Sequence, residues 1–251
     1  MGVAAAIGPV VQLWGGKFMT SPELAEVEAE VGLGQRSLYL WGRAAVLGET
    51  PPKVVAELFG IFPGWLFDVV LPAATQALDA PAAVSAYVEA SARWSRAHLS
   101  GLVDADRLAE LLFRLIDAAD AGGLALFAGW QRAERPEGAV ERVGLGLTVL
   151  REYRGGLHFA ALRAVGLTVP EAVVADPEGG RGRLLRTAWA PDAADALVAA
   201  ARAKSDLDER WRQAQALTDA RMDELIDSEL DAGERAELTK LLGELQAARL
   251  G

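Results

Sequence analysis

Apolar residues in this chain return at three- and four-residue intervals almost wherever they cluster, and a helix is the structure that turns such spacing into one face. The clearest run lies between Asp104 and Asp120, where Leu108, Leu111, Leu112, Leu115 and Ile116 stand at i, i+3, i+4, i+7 and i+8 before Gly122 and Gly123 stop the pattern. Ser21 and Pro22 open another helix that closes near Gly32. Pro51 and Pro52 introduce one carrying Val54, Val55, Leu58 and Phe59, and Pro81 introduces one carrying Val84, Tyr87 and Trp94. Pro63 to Leu71 and Pro72 to Leu78 read as two short buried helical pieces, because an interior proline removes a backbone donor. Two-residue alternation is weak everywhere, so at most a short β-ribbon is expected, across Leu207 to Leu217. The expected fold class is all-α.

The segment from Leu150 to Asp176 adds a supersecondary signal. A helix ends at Gly166, and Thr168 with Glu171 forms a capping box around Pro170, so a second helix follows a tight turn. That is a helix-turn-helix pattern. Ala133 to Ala139, charged and containing Pro136, reads as a loop; Pro177 to Gly182 reads as a second, flexible break. Near the end, Asp231 and Glu234 form another capping box. The flanking helices turn Met222, Leu225, Ile226 and Leu230, then Leu238, Leu241, Leu242 and Leu245, inward. The expected organisation is an N-terminal helical bundle over residues 1–145 and a winged-helix-like part over residues 146–251.

Composition narrows the chemistry. With no cysteine there are no disulfides, thiol nucleophiles or thiolate metal sites, and His98 and His158 are too few for a multi-histidine centre. No metal or cofactor is expected. There is no GxSxG elbow, HExxH pair, Walker loop or dinucleotide fingerprint, and no catalytic residue is assigned. A net charge of −10 repels nucleic acid on average, so DNA contact would need a local basic patch. No apolar run approaches the roughly 20 residues a spanning helix needs, and the start carries neither a signal-peptide nor a myristoylation pattern. A cytoplasmic location without membrane contact is expected.

Arg151, Arg154 and His158 share one face if the helix there is unbroken, and arginines grouped in this way hold carboxylates or phosphates. If Gly155 and Gly156 instead end the helix, both arginines fall in its last turn, where cations favour the dipole. Arg43, beside Trp41 in an apolar setting, needs an anionic partner, with Glu49, Asp68 and Glu152 as the alternatives. Phe59, Phe62, Trp65 and Phe67 are either core or the wall of an apolar pocket. The ligand-binding candidates are therefore Arg43, Arg151, Arg154, His158, Trp41, Phe62 and Trp65.

Several stretches together resemble an actinobacterial helix-turn-helix family with a MarR-like C-terminal region. Tyr39 to Gly48 is similar to that family's YFAGRAAPLG, Phe59 to Pro63 to its FYGFAP, and Leu71-Pro72 to its ALP. Leu150 to His158 resembles its LREHRGDGH, with Tyr153 and Gly156 standing where the family has histidine and aspartate. Pro9 to Gln12 stands where it has an early histidine, in EPLHA. Leu184 to Trp189 resembles its LRATRGW, and Leu217 through Leu242 its last two helices. The resemblance implies a recognition helix near Asp192 to Lys204 and a wing near Ser205 to Gln215. That helix opens on Asp192 and Asp195, where a recognition helix presents its base-reading residues.

Three functions are expected in order. The first is binding of a small apolar or anionic molecule between the two parts by a degenerate regulator. The second is a DNA-binding regulator of MarR-like type, acting as a homodimer through Arg181, Arg183, Arg186, Arg210 and Arg212. The third is an enzyme acting on a small anionic substrate with Arg151, Arg154 and His158.

Overall fold

A computed structural model describes residues 2–248, and among them every regular element is helical. Fourteen α-helices follow one another: α1 Val3–Lys17, α2 Pro22–Glu30, α3 Ser37–Ala44, α4 Pro52–Phe59, α5 Gly64–Ala77, α6 Ala80–His98, α7 Ala105–Ala118, α8 Ala125–Gln131, α9 Ala139–Ala164, α10 Val169–Ala175, α11 Gly180–Arg186, α12 Pro191–Arg202, α13 Leu207–Glu229 and α14 Ala232–Ala248. Side-chain caps fix the starts of α2, α6, α10 and α14. The Ser21 hydroxyl accepts from the Leu24 amide at 3.2 Å, and Asp79 accepts from the Ala82 amide at 2.8 Å. The Thr168–Glu171 box is closed in both directions, and so is the Asp231–Glu234 box.

Helix α9 is the axis of the molecule, with α1, α6, α7, α8 and α13 packed along it. The α7 stripe faces it: Leu108, Leu111, Leu112, Leu115 and Ile116 have no measurable exposure. Each such side chain contributes about 1.5–3 kcal/mol by leaving water. Gly15 lets α1 lie directly on α9, since a Cβ there would stand 2.4 Å from the Leu147 carbonyl oxygen.

Two buried clusters divide the chain. The larger takes side chains from α1 to the first half of α9 and adds Met222, Leu225 and Ile226 of α13 with Leu238, Leu241, Leu242 and Leu245 of α14. The smaller holds Ala161, Leu162, Leu167, Val174, Leu184, Ala194, Ala201, Leu207 and Ala214, rimmed by Phe159, Trp189 and Trp211. Residues 159–214 are thus an excursion from the bundle: α9 carries the chain out and α13 brings it back. The boundary expected at residue 145 falls inside α9, and the two C-terminal helices pack with the N-terminal ones.

Three local expectations are corrected. Gly155 and Gly156 do not end a helix; α9 runs through both. A Cβ at Gly156 would meet Leu124 Cδ2 at 2.7 Å, so that glycine serves close packing with the segment before α8. Pro72 does not split α5. It lies on the exposed side, where water can replace the donor lost to the Asp68 carbonyl. Leu207 to Leu217 forms the first half of α13 in place of a ribbon, so no wing stands at Ser205 to Gln215. Leu207, Ala214 and Thr218 recur at seven and four residues and are buried, a helical period that outweighs the weak strand signal.

Candidate functional site

The turn that defines the small unit is Val165 to Thr168. Gly166 takes φ 72°, a left-handed conformation that costs glycine little, and α9 and α10 meet there at 94°. Four residues, a glycine and a near-right angle are the dimensions of a helix-turn-helix corner. The second helix of that corner is not free to read DNA, because Ala172, Val173, Val174 and Ala175 are buried against α11, α12 and α13. The outward helix of the unit is α12, at the place expected for a recognition helix.

The unit is seated on the bundle at a second point. Trp189 donates its indole N–H to the Ile61 carbonyl at 2.9 Å. Gly60, with φ 65°, lies so close to Phe159 and Val169 that a Cβ would come within 2.9 Å of the Phe159 ring. The turn between α4 and α5 is therefore the socket of the small unit. No periodic pattern in Phe59-Gly60-Ile61 marks this contact.

Of the ligand candidates, Arg43 is the most enclosed. Its Nε and Nη2 donate to Glu152 Oε1 and Oε2 at 2.7 and 2.8 Å, and its guanidinium carbon stands 4.2 Å from the Phe59 ring centre. Glu152 is thus the partner among the three considered. Burial opposes both charges, yet each holds the other ionised: the Arg43 pKa is raised and that of Glu152 lowered. Trp41 is buried and donates to the Leu78 carbonyl at 2.9 Å. Phe62 packs in a cluster of rings with Tyr39, Phe59 and Phe67. Trp65 is 54% exposed and points away from that cluster.

Arg154 and His158 do meet on one side of α9, and what they face is α13. Arg154 Nη2 donates to Gln215 Oε1 at 3.2 Å and Asp219 Oδ1 at 3.1 Å. His158 Nδ1 lies 3.0 Å from the Thr218 hydroxyl, which itself donates to the Ala214 carbonyl, so Nδ1 carries the proton. Burial, assisted by the neighbouring Arg154 charge, pushes the His158 pKa down to about 4, and the imidazole is neutral near pH 7. Arg151 turns instead toward α1, its Nη1 3.7 Å from Glu152. Sequence reasoning missed Gln215, Thr218 and Asp219 because nothing on α13 announces which residues α9 will meet. It also missed Tyr87, whose hydroxyl is buried without a hydrogen-bond partner and whose pKa burial pushes well above the usual value.

The DNA candidates are largely neutralised at home. Arg181 binds Asp195 at 2.5 Å, Arg183 binds Asp176 at 3.1 Å, Arg210 binds Asp206 at 2.7 Å and Arg212 binds Glu209 at 2.6 Å. Lys204 binds Glu171 and Arg202 binds Asp208. Arg163 and Arg186 are exposed and have no carboxylate partner among the described residues. Residues 159–214 carry eight cationic and eight acidic side chains, so the unit is neutral on a chain of charge −10.

Among the described residues no group of histidine and acidic side chains has a metal-holding arrangement, and no single helix is long and apolar enough to cross a membrane. The model of a helix-turn-helix family matches residues 4–250. Nothing among curated proteins or solved structures matches the chain.

Proposed function

Because the chain belongs to this helix-turn-helix family, we propose that it is a regulator-like protein whose unit at residues 159–214 meets nucleic acid through phosphates and reads no base edges. The observation that carries this is the pattern of ion pairs on the unit. Asp192 and Asp195 occupy the first turns of α12, where base-reading donors would be needed, and Asp195 holds Arg181. Arg163 and Arg186 remain for phosphate contact. With about two such contacts, log K should fall against log salt with a slope near −2, and binding at physiological salt should stay in the range of about 10⁻⁴–10⁻⁶ M. Titration of the purified chain with unrelated duplexes at several salt concentrations tests this. Equal affinities lost in Arg163→Ala/Arg186→Ala are expected; sub-micromolar preference for one sequence would overturn the reading.

A second reading, binding of a small polar molecule inside the bundle, is favoured by one observation. The Tyr87 hydroxyl and Arg151 Nε are buried without partners near the Arg43–Glu152 pair, and buried polar groups are seldom left so. In this reading Arg43 and Arg151 supply the charge that orients a small anion, and Trp41 and Phe62 supply the apolar wall. Thermal shift with a panel of small carboxylates and phosphates tests it. Stabilisation that is lost in Tyr87→Phe supports it, and no stabilisation by any of them contradicts it.

A further inference from the structure

Among the arginines of the small unit that are held by acids, Arg181 is held differently. Its Nε and Nη2 donate to Asp195 Oδ1 and Oδ2 at 2.5 and 3.1 Å, a two-pronged grip between α11 and α12. Arg202 and Arg210 each give a second nitrogen to a backbone carbonyl, that of Val174 and that of Val165, and so tie α12 to α10 and α13 to the end of α9. Arg212 pairs within its own helix, with Glu209. Arg183 reaches a single oxygen of Asp176 from a half-buried position. Among the described residues Arg181 bonds to Asp195 alone, and the two side chains are 46% and 58% exposed.

We propose that Asp195 stands in for a phosphate: in the free chain it occupies Arg181, and a nucleic-acid duplex meeting the outward side of α12 displaces it and takes the arginine. This rests on the reading that the unit meets nucleic acid through phosphates, and it adds to Arg163 and Arg186 a third phosphate ligand held in reserve. A carboxylate and a phosphate offer the arginine fork the same pair of oxygens, so one replaces the other without a change of geometry. An exposed ion pair adds little to folding, so the unit survives the exchange. The hydrogen bonds from Arg181 hold the Asp195 carboxyl below its usual range, so its charge and its grip persist at neutral pH. Once displaced, Asp195 lies beside the incoming phosphate and repels it. The contact therefore weakens binding twice, by occupying a cation and by presenting an anion.

Titration of the full chain with an unrelated duplex over a salt series tests this. Asp195→Asn, at an exposed position and checked for unchanged helical circular dichroism, should bind more tightly than wild type. Its slope of log K against log salt should steepen by about 0.9, the value of one phosphate contact, so its advantage shrinks about three- to fourfold between about 50 and about 200 mM salt. Adding Arg181→Ala to that variant should restore the wild-type slope. Asp192→Asn removes the same charge three residues earlier, from a side chain with no ion-pair partner among the described residues, and should leave the slope unchanged. If Asp195→Asn fails to fold, Asp195→Ala carries the same expectation. A wild-type slope in Asp195→Asn overturns the inference and leaves the phosphate reading standing. An equal steepening in Asp192→Asn also overturns it, since net charge alone would then govern binding. If neither wild type nor Asp195→Asn binds duplex at any salt, the phosphate reading itself falls and the reserve arginine with it.

Discussion

The two interiors of this molecule are made of different side chains. The bundle is filled by leucines and rings: the whole α7 stripe, Trp41, Trp130, Phe67 and Phe127 are each at most 1–2% exposed. The small unit is filled largely by alanine, at positions 161, 172, 175, 194, 201 and 214, and its large rings Phe159, Trp189 and Trp211 sit half-buried at the rim. Small side chains let short helices approach closely, yet they remove little apolar area from water. Helices α10 and α11 have seven residues each, well below the roughly 12–15 at which a helix stands alone even marginally. The unit therefore draws its order from α9 and α13, two long helices whose other halves are anchored in the bundle. A helix-turn-helix can be small when its first and last helices belong to something larger.

The largest expected effect strikes the bundle. Glu152→Ala leaves the Arg43 guanidinium buried without its carboxylate and should cost about 3–5 kcal/mol in urea denaturation. A loss below about 1 kcal/mol would mean that water reaches Arg43 and that the interior is less dry than its burial indicates.

The contrast between the interiors is sharpened by two equivalent truncations. Leu112→Ala should lower the main unfolding transition by about 2–5 kcal/mol, through lost burial and the cavity left behind. Leu184→Ala, at an equally buried position of the small unit, should detach an early transition and leave the main one within about 0.5 kcal/mol of wild type. If both truncations lower the main transition alike, the two regions unfold as one.

The smallest effect concerns the junction. His158 has its pKa lowered from 6.5 to about 4 by burial and by Arg154. Its neutral form is thus favoured in the folded chain, while the unfolded chain binds the proton more tightly. Stability from this group is fully present above about pH 6.5 and is lost progressively as pH falls through the window down to about 4, on the order of 1–3 kcal/mol in all. Denaturation midpoints from pH 7.5 to 4.5 should fall less in His158→Gln than in wild type; identical slopes would show that other groups govern acid sensitivity.

What the sequence disclosed follows the range of the interactions concerned. The α7 stripe, the capping boxes at Thr168 and Asp231 and the Gly166 turn are local, and each was legible from residues within one or two turns. The continuity of α9 through Gly155 and Gly156 was not, because the glycine penalty is intrinsic to the residue while the Leu124 contact that makes Gly156 useful comes from another segment. The weak strand signal at Leu207 to Leu217 was overridden by burial of Leu207 and Ala214 in the small unit. The site was legible only in part. Arg43 plainly needed an acid, but choosing Glu152 over Glu49 and Asp68 required the crossing of α3 and α9. Spacing grouped Arg151, Arg154 and His158; Arg154 and His158 share the side that faces α13 while Arg151 lies against α1, and the α13 residues that engage the pair could be found only once the chain had folded back.

Native-state hydrogen exchange tests most directly the claim that the small unit is held from outside. Amides of α10, α11 and α12 should exchange through a partial opening that leaves α7 and the first half of α9 closed, with protection at least tenfold lower than in α7, or about 1.4 kcal/mol. Equal protection across α7, α10 and α12, all exchanging only on global unfolding, would contradict it.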